Sequence, residues 1–253
     1  MRIPSALTAL AAVFLTHCGE ATQRDNEHCA GPNAPSGTSV LIFSRTLGFR
    51  HESIAPGVDA IRAIGDRHGF AVEHTEDPGE FTDVNLARFA AIVFLHTTGD
   101  VLAVEQEAAF VRYIQSGGGY AGIHSAADTE YDWEWYGQLV GAYFKSHPVI
   151  QEATVHLENA SHPSTGCPPP IWTRTDEWYD FQTRPAAGIS VLATVDETTY
   201  TGATMGTPHP VVWYHLFDGG RAWYTAMGHT SESYSEPAFI DHLAGGILWA
   251  AAR

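Results

Sequence analysis

The sequence predicts an α/β fold with an open, mostly parallel sheet and helices on both of its faces. Short apolar runs at residues 40–44 and 90–95 have the composition of strands buried on both sides. Strand and helix patterns alternate through the first half of the chain, as in sheets built from βαβ units. Residues 39–253 suffice for one such domain, and no internal repeat or second linker divides them.

The elements of the first half follow from the spacing of apolar residues. After the strand at 40–44, apolar residues recur at three- and four-residue spacing from Ile54 to Ile64, which predicts a helix ending near Gly69. The next predicted elements are a strand at 70–74, a short helix at 84–88, a strand at 90–95, a helix at 104–115 and a strand at 119–123.

The second half is less regular. Its predicted elements are strands at 152–157, 190–194, 211–214 and 221–225 and a last apolar helix at 238–251. In open sheets of this kind, ligands bind beyond the carboxyl ends of the strands. The residues that follow each strand are therefore the candidates for a functional site.

The amino terminus resembles an export signal. A charged start is followed by an apolar run at 6–15, which is shorter than the about 20 residues of a membrane-spanning helix. Cys18 follows at the distance typical of a bacterial lipoprotein, although His17 replaces the usual small residue. We predict a signal peptide over 1–17, a lipid on Cys18, a tether over 18–38 and a periplasmic or cell-surface location. Plain secretion and no export are the alternatives.

The remaining cysteines and the net charge bear on redox state and partners. In an oxidising compartment, Cys29 in the tether and Cys167 in a proline-rich loop favour a disulfide, and two unpaired thiols are the alternative. The formal charge is −16, and Lys145 is the single lysine. Without a basic cluster, nucleic acid is disfavoured as a partner. The oligomeric state is left open.

Histidines follow three of the predicted strands. They are His51, His96 and His124, and His229 follows a later strand. Each one alone fits a structural role, but the fold brings their strand ends to one crevice. Imidazoles grouped in this way supply general acid and base chemistry or ligands for a divalent metal. No local spacing such as His-Glu-x-x-His distinguishes the two, so a metal at these four histidines stays an alternative.

An acidic and aromatic segment lies in the second half. Glu177 precedes Trp178 and Tyr179, and aromatic rings beside carboxylates suit sugars, which combine apolar C–H patches with hydroxyl groups. Ordinary core aromatics beside solvated acids are the alternative. Asp128, Trp133 and His147 are further polar or aromatic candidates for contacts with a ligand.

Several motifs, taken in order, resemble the ThuA-like (trehalose utilisation) family over about residues 39–251. They are Phe49-Arg50-His51, residues 117–124 (Gly-Gly-Gly-Tyr-Ala-Gly-Ile-His), His147-Pro148, His162-Pro163, Asp176-Glu177-Trp178-Tyr179, Pro210-Val211-Val212-Trp213, and Gly219-Gly220-Arg221 through Gly228-His229. The resemblance implies a flavodoxin-like sheet similar to that of class I glutamine amidotransferases. His124 stands where those proteins carry their nucleophilic cysteine, so cysteine-based amide hydrolysis is disfavoured.

The resemblance also implies a function and a set of recurrent positions. The family is associated with disaccharide catabolism through 3-keto sugars, and its recurrent positions fall on His51, His124, His147, Glu177 and His229. Two departures are Thr97-Thr98, where relatives often have a Thr-Gly-Gly-like turn, and the export signal.

The leading hypothesis is an enzyme that acts on a disaccharide, glycoside or 3-keto sugar. Its catalytic residues are predicted to be His124, Glu177, His229 and His51. Its substrate contacts are predicted to be His96, Asp128, Trp133, His147, Trp178 and Tyr179, with the aromatic residues forming a stacking wall. The alternatives are a noncatalytic carbohydrate-binding module and a metal-dependent hydrolase or isomerase. No Gly-x-Gly-x-x-Gly turn follows the first strand, which disfavours a bound dinucleotide.

Overall fold

A computed structural model of the chain describes residues 33–252. The strands are β1 (Ser39–Phe43), β2 (Ala71–Thr75), β3 (Ala91–Leu95), β4 (Gly119–Ile123), β5 (Phe144–Ser146), β6 (Gln151–Leu157), β7 (Ile171–Asp176), β8 (Asp180–Phe181), β9 (Ser190–Val195), β10 (Pro210–Phe217) and β11 (Gly220–Thr225). The α-helices are α1 (Ile54–His68), α2 (Asp83–Leu86), α3 (Val104–Gln115), α4 (Glu134–Val140) and α5 (Pro237–Ala251).

Nine of these strands form one mixed sheet in the order β2-β1-β3-β4-β11-β10-β9-β6-β7. The first five in this order are parallel to one another, and each later neighbouring pair is antiparallel. Because four successive reversals separate β11 from β7, β7 again points the same way as β4 and β11. The carboxyl ends of β1, β3, β4, β11 and β7 therefore all face one edge. The predicted α/β class is confirmed.

The core lies around β3 and β4, in which every residue is buried. Complete burial of a strand requires cover on both faces of the sheet. Helix α1 packs against α5, and α2 packs against α3. Gly119 shows how tight this packing is, because a Cβ there would lie 2.1 Å from the carbonyl oxygen of Ala250 in α5.

The structure contains elements that the sequence analysis did not predict. Strand β7 forms the edge of the sheet beside β6, and β5 and β8 form a separate two-stranded sheet.

Cys167 is disulfide-bonded. The predicted signal peptide, Cys18 and Cys29 lie outside the described residues. Between residues 33 and 252, no helix has both the length and the apolar character that crossing a bilayer requires.

Candidate functional site

Four side chains converge where strands end at the carboxyl edge of the sheet. They are His51 after β1, His124 at the end of β4, Glu177 directly after β7 and His229 after β11. One nitrogen or carboxylate oxygen from each lies within 4.8 Å of the others. The fold thus brings together the four residues that the sequence analysis selected as catalytic.

A strained turn positions His124. Its backbone φ is 53°, a left-handed conformation that is uncommon for residues other than glycine. The ring is fully buried, and its Nδ1 donates a hydrogen bond to the carbonyl oxygen of Ala226 over 2.7 Å. Because that oxygen can only accept, Nδ1 carries a proton. Nε2 points into the group, 3.0 Å from Nδ1 of His229.

Glu177 is the centre of the group. Its Oε2 lies 3.1 Å from Nδ1 of His229 and 3.4 Å from Nε2 of His124, and its Oε1 lies 3.1 Å from Nδ1 of His147. Burial disfavours the carboxylate, but hydrogen bonds with His124 and His229 outweigh it and lower the pKa of Glu177. Burial also opposes protonation of His229, yet Glu177 raises the pKa of that imidazole. The pair therefore favours a carboxylate beside a proton on His229.

Asp176 holds two members of the group by their backbone. Its Oδ1 accepts the N–H groups of Glu177 and His229 over 2.9 and 3.0 Å, and its Oδ2 accepts that of Gly228 over 2.8 Å. Nη2 of Arg174 lies 3.2 Å from Oδ2, and all of Asp176 is buried. The sequence analysis named Asp176 only as part of the motif Asp176-Glu177-Trp178-Tyr179. The structure separates the two acids, because Asp176 positions backbone while Glu177 faces the histidines.

His51 and His96 form a stacked pair at the back of the group. Their ring centroids are 4.7 Å apart, and the His51 ring presents its edge to His124 and His229 at 4.9 and 5.0 Å. Burial, helped by those two neighbours, lowers the pKa of His51 to about 2, so the ring is neutral. Nε2 of His96 lies 2.7 Å from the hydroxyl of Tyr234. His96 therefore supports His51 instead of joining the four converging atoms.

His147 connects the group to solvent. Its side chain is 41% exposed, whereas that of Glu177 is 8% exposed. Nδ1 of His147 also donates to the carbonyl oxygen of Pro148 over 2.8 Å. The buried ring of Tyr179 lies beneath, 4.2 Å from that of His124 and 4.3 Å from that of Phe144. His147 is thus the most accessible ring in contact with Glu177.

The structure does not assemble the stacking wall that the sequence suggested. Trp178 is 1% exposed, and its indole N–H donates to the carbonyl oxygen of Gln151, so it belongs to the core. In the structure, Trp178 therefore packs in the core and does not line a ligand-facing wall. A buried tryptophan and a ligand-facing one look alike in sequence, since both carry a large ring beside polar neighbours.

The other two predicted substrate contacts lie near α4. Trp133 precedes that helix and stacks on Trp135, with ring centroids 5.1 Å apart. Asp128 accepts a hydrogen bond from the hydroxyl of Tyr131 over 2.6 Å, and burial raises the pKa of its carboxyl group. His124 acts in the opposite direction on that pKa, so Asp128 lies within electrostatic reach of the site.

Comparisons with known proteins agree with this architecture. A family model for ThuA, described as trehalose utilisation, matches residues 39–250. A ThuA-like protein from Bacteroides uniformis is 20% identical, with a TM-score of 0.73 over 88% of this chain and 95% of its own. One from Parabacteroides merdae is 20% identical, with a TM-score of 0.70 over 86% and 91%. A cytoplasmic protein from Salmonella typhimurium is 13% identical, with a TM-score of 0.60 over 85% and 100%. No curated protein matches the chain.

Proposed function

The chain belongs to the ThuA (trehalose utilisation) family, and we propose that it is an enzyme that processes a glycoside or 3-keto sugar. The observation that carries this proposal is the contact of one nearly buried carboxylate, Glu177, with three imidazoles from different parts of the chain. The family suggests a carbohydrate-related role. The residues at the strand ends suggest the chemistry.

Proton transfer is the chemistry that this arrangement supports best. Glu177 carries negative charge, its neighbour His229 favours a proton, and His147 reaches solvent. A base and an acid held side by side can take a proton from one atom of a sugar and return it to another. In a 3-keto sugar, the ketone acidifies the neighbouring C–H bond. Removal of that proton by the base lets the C–H electron pair form a C=C bond as the bond to the glycosidic oxygen breaks, and the acid protonates that leaving oxygen.

The direct test measures products from the purified full-length chain. It is incubated with trehalose, sucrose and their 3-keto forms, and released sugars are followed by NMR. We expect turnover of a keto form, and we expect E177Q to lower it by about 100-fold or more, because the base is lost while the shape is kept. E105Q, at an exposed position in the first turn of α3, is the matched control.

Two results contradict this proposal. Turnover by E177Q at the wild-type rate would remove Glu177 from the reaction. Saturable binding of a keto sugar without any product would instead identify a carbohydrate-binding module.

We also propose that residues 1–17 direct export and that Cys18 carries a lipid. Their support is the charged start, the short apolar run and the position of the cysteine. Mass spectrometry of the mature amino terminus, compared between wild type and C18S, tests this. An intact Met1 in cells of a species that exports lipoproteins contradicts it.

A further inference from the structure

We propose that His51, His124, Glu177 and His229 bind one divalent transition-metal ion, with zinc as the best match. This inference rests on the same site as the proposed function and names its cofactor. With the ion bound, Nδ1 of His229 gives its lone pair to the metal instead of holding a proton, and His147 is the ring left to carry protons. Each of the four residues offers one ligand atom, and these atoms lie within 4.8 Å of one another. They come from four different segments of the chain, so only the fold reveals the set.

The distances among three of the four ligand atoms fit a tetrahedral ion. Zinc bonds to imidazole nitrogen and carboxylate oxygen are about 2.0–2.1 Å long, which separates tetrahedral ligand atoms by about 3.3 Å. Nε2 of His124, Nδ1 of His229 and Oε2 of Glu177 form a triangle with sides of 3.0, 3.1 and 3.4 Å. His51 lies on a further side, with its ring centroid 4.9 Å from that of His124 and 5.0 Å from that of His229.

The tautomer of His124 is fixed in the form that a metal requires. Its Nδ1–H donates to the carbonyl oxygen of Ala226, which leaves the lone pair of Nε2 directed at the other ligand atoms. Metal-binding histidines typically donate their second ring N–H to a carbonyl or carboxylate in this way. The backbone of Glu177 and of His229 is held by Asp176. Two of the four ligands thus share one buried support.

A cation would also balance the negative charge of the Glu177 carboxylate. Glu177 is a nearly buried carboxylate, with a side chain that is 8% exposed. Arg174, the buried cation on β7, already contacts Asp176 and Glu236. A buried charge is costly unless a partner compensates it. One divalent ion would balance the carboxylate and accept the imidazole lone pairs together.

The donor set indicates which ion fits. Three imidazoles and one carboxylate suit zinc and other first-row transition metals, whereas magnesium and calcium prefer oxygen ligands. His96 is not one of the four residues whose ligand atoms converge, and its Nε2 contacts Tyr234 and Ser53. Oε1 of Glu177 faces His147. His147 therefore stays available for proton transfer beside the ion.

Another cluster in the described part of the chain fits less well. Asp180, Glu197 and His209 also lie within reach of one another. However, Nε2 of His209 contacts the carbonyl oxygen of Tyr179, and its Nδ1 already contacts Glu197. This cluster offers only one imidazole beside two carboxylates, which suits a transition metal less well than three imidazoles do.

The test measures metal binding without reference to activity. The full-length protein is stripped with a chelator and titrated with zinc by calorimetry and with cobalt by visible absorption. We expect one ion per chain and the intense absorption of tetrahedral cobalt. H124Q, H229Q and E177Q should each weaken binding by about 100-fold or more, because each removes one direct ligand. H156Q, at a ring 44% exposed beside Asp196, is the control and should bind as wild type does.

The outcomes separate this inference from the proposed function. No stoichiometric zinc, cobalt or manganese binding by folded wild-type protein overturns the metal site. Zinc affinity in H229Q equal to that of the wild type also overturns the metal site. This variant should fold, because the side chain of His229 is already 17% exposed. Metal binding without sugar turnover leaves the site standing and contradicts the proposed function. Sugar turnover that persists after the chelator has removed all metal supports the proposed function and contradicts the claim that the ion is its cofactor.

Discussion

The carboxylate of Asp176 accepts the backbone N–H of His229 over 3.0 Å, although the two residues are 53 positions apart. Strands β10, β9 and β6 lie between β11 and β7 in the sheet. The contact therefore shows that the sheet curls far enough to bring its last strand back to the site. Glu177 follows Asp176 directly, so this one hydrogen bond fixes the position of the acid relative to the histidine.

Replacing Asp176 by asparagine should destabilise the protein and loosen the site. The D176N variant would keep the shape of the side chain but lose the charge opposite Arg174, whose Nη2 is 3.2 Å away. Breaking a buried ion pair costs about 3–5 kcal/mol in free energy of unfolding, which urea titration measures. D83N removes an exposed pair with Arg112 and should change stability far less, because solvent screens that pair. Equal stability of the two variants would contradict a structural role for Asp176.

Replacing Gly228 by alanine should displace His229. Gly228 has φ of 112°, and a Cβ there would lie 2.9 Å from Cζ of Phe239. Gly188 has a similar φ of 104° but has open space around it. G188A therefore measures the backbone strain alone, about 1–3 kcal/mol, and G228A adds the steric clash. In urea unfolding, G228A should have a lower free energy of unfolding than G188A, and only G228A should weaken zinc binding. The reverse ranking would contradict the packing described for this turn.

Two buried histidines away from the site should make the protein sensitive to acid. Burial lowers the pKa of His162 to about 4 and that of His242 to about 3. In the unfolded chain both rings bind protons below about pH 6.5, while in the folded chain they do not. Stability should therefore fall as the pH drops from about 6.5 to about 4, by about 1.4 kcal/mol per pH unit for each ring.

Urea unfolding at several pH values checks this dependence. H162N removes one of the two titrating rings, so its stability should fall less steeply with decreasing pH, by about one proton. H156N, which replaces an exposed histidine, is the control. An unchanged slope in H162N would show that His162 is protonated in the folded state.

The sequence predicted the part of the fold that apolar periodicity encodes. The fully buried β3 and β4 appear as continuous apolar runs, and the histidines were found because they follow such strands. Strand β7 was missed for a physical reason. Its inward side carries Trp172, Arg174 and Asp176, so its alternating burial is not matched by alternating hydropathy. Charged residues can face inward there because they pair with each other.

The sequence predicted which residues belong to the site better than it predicted which partners their side chains contact. His51, His124 and His229 were predicted because they follow strands. The sequence could not show that the His96 ring turns towards Tyr234. That choice depends on a hydroxyl 138 positions away. Contacts of this kind arise only when the chain has folded, so no local pattern signals them.

The last prediction separates His147 from the proposed metal ligands. Its ring is 41% exposed and contacts Glu177 through the oxygen that faces away from the other histidines. H147Q should therefore bind zinc as wild type does and unfold at the same urea concentration. Loss of a positioned acid or base typically lowers the rate by about 100- to 10,000-fold, so kcat on a 3-keto glycoside should fall within that range.

Steady-state kinetics and zinc titration of the same preparations distinguish a proton-carrying role of His147 from a role as metal ligand. H156Q is the control, because its ring has a similar exposure. A loss of zinc affinity in H147Q as large as that in H124Q would place His147 among the ligands. Unchanged kcat in H147Q would mean that protons reach Glu177 without this ring. Only reduced turnover with intact metal binding agrees with a ring that carries protons between Glu177 and solvent, because that role needs contact with the carboxylate but no bond to the ion.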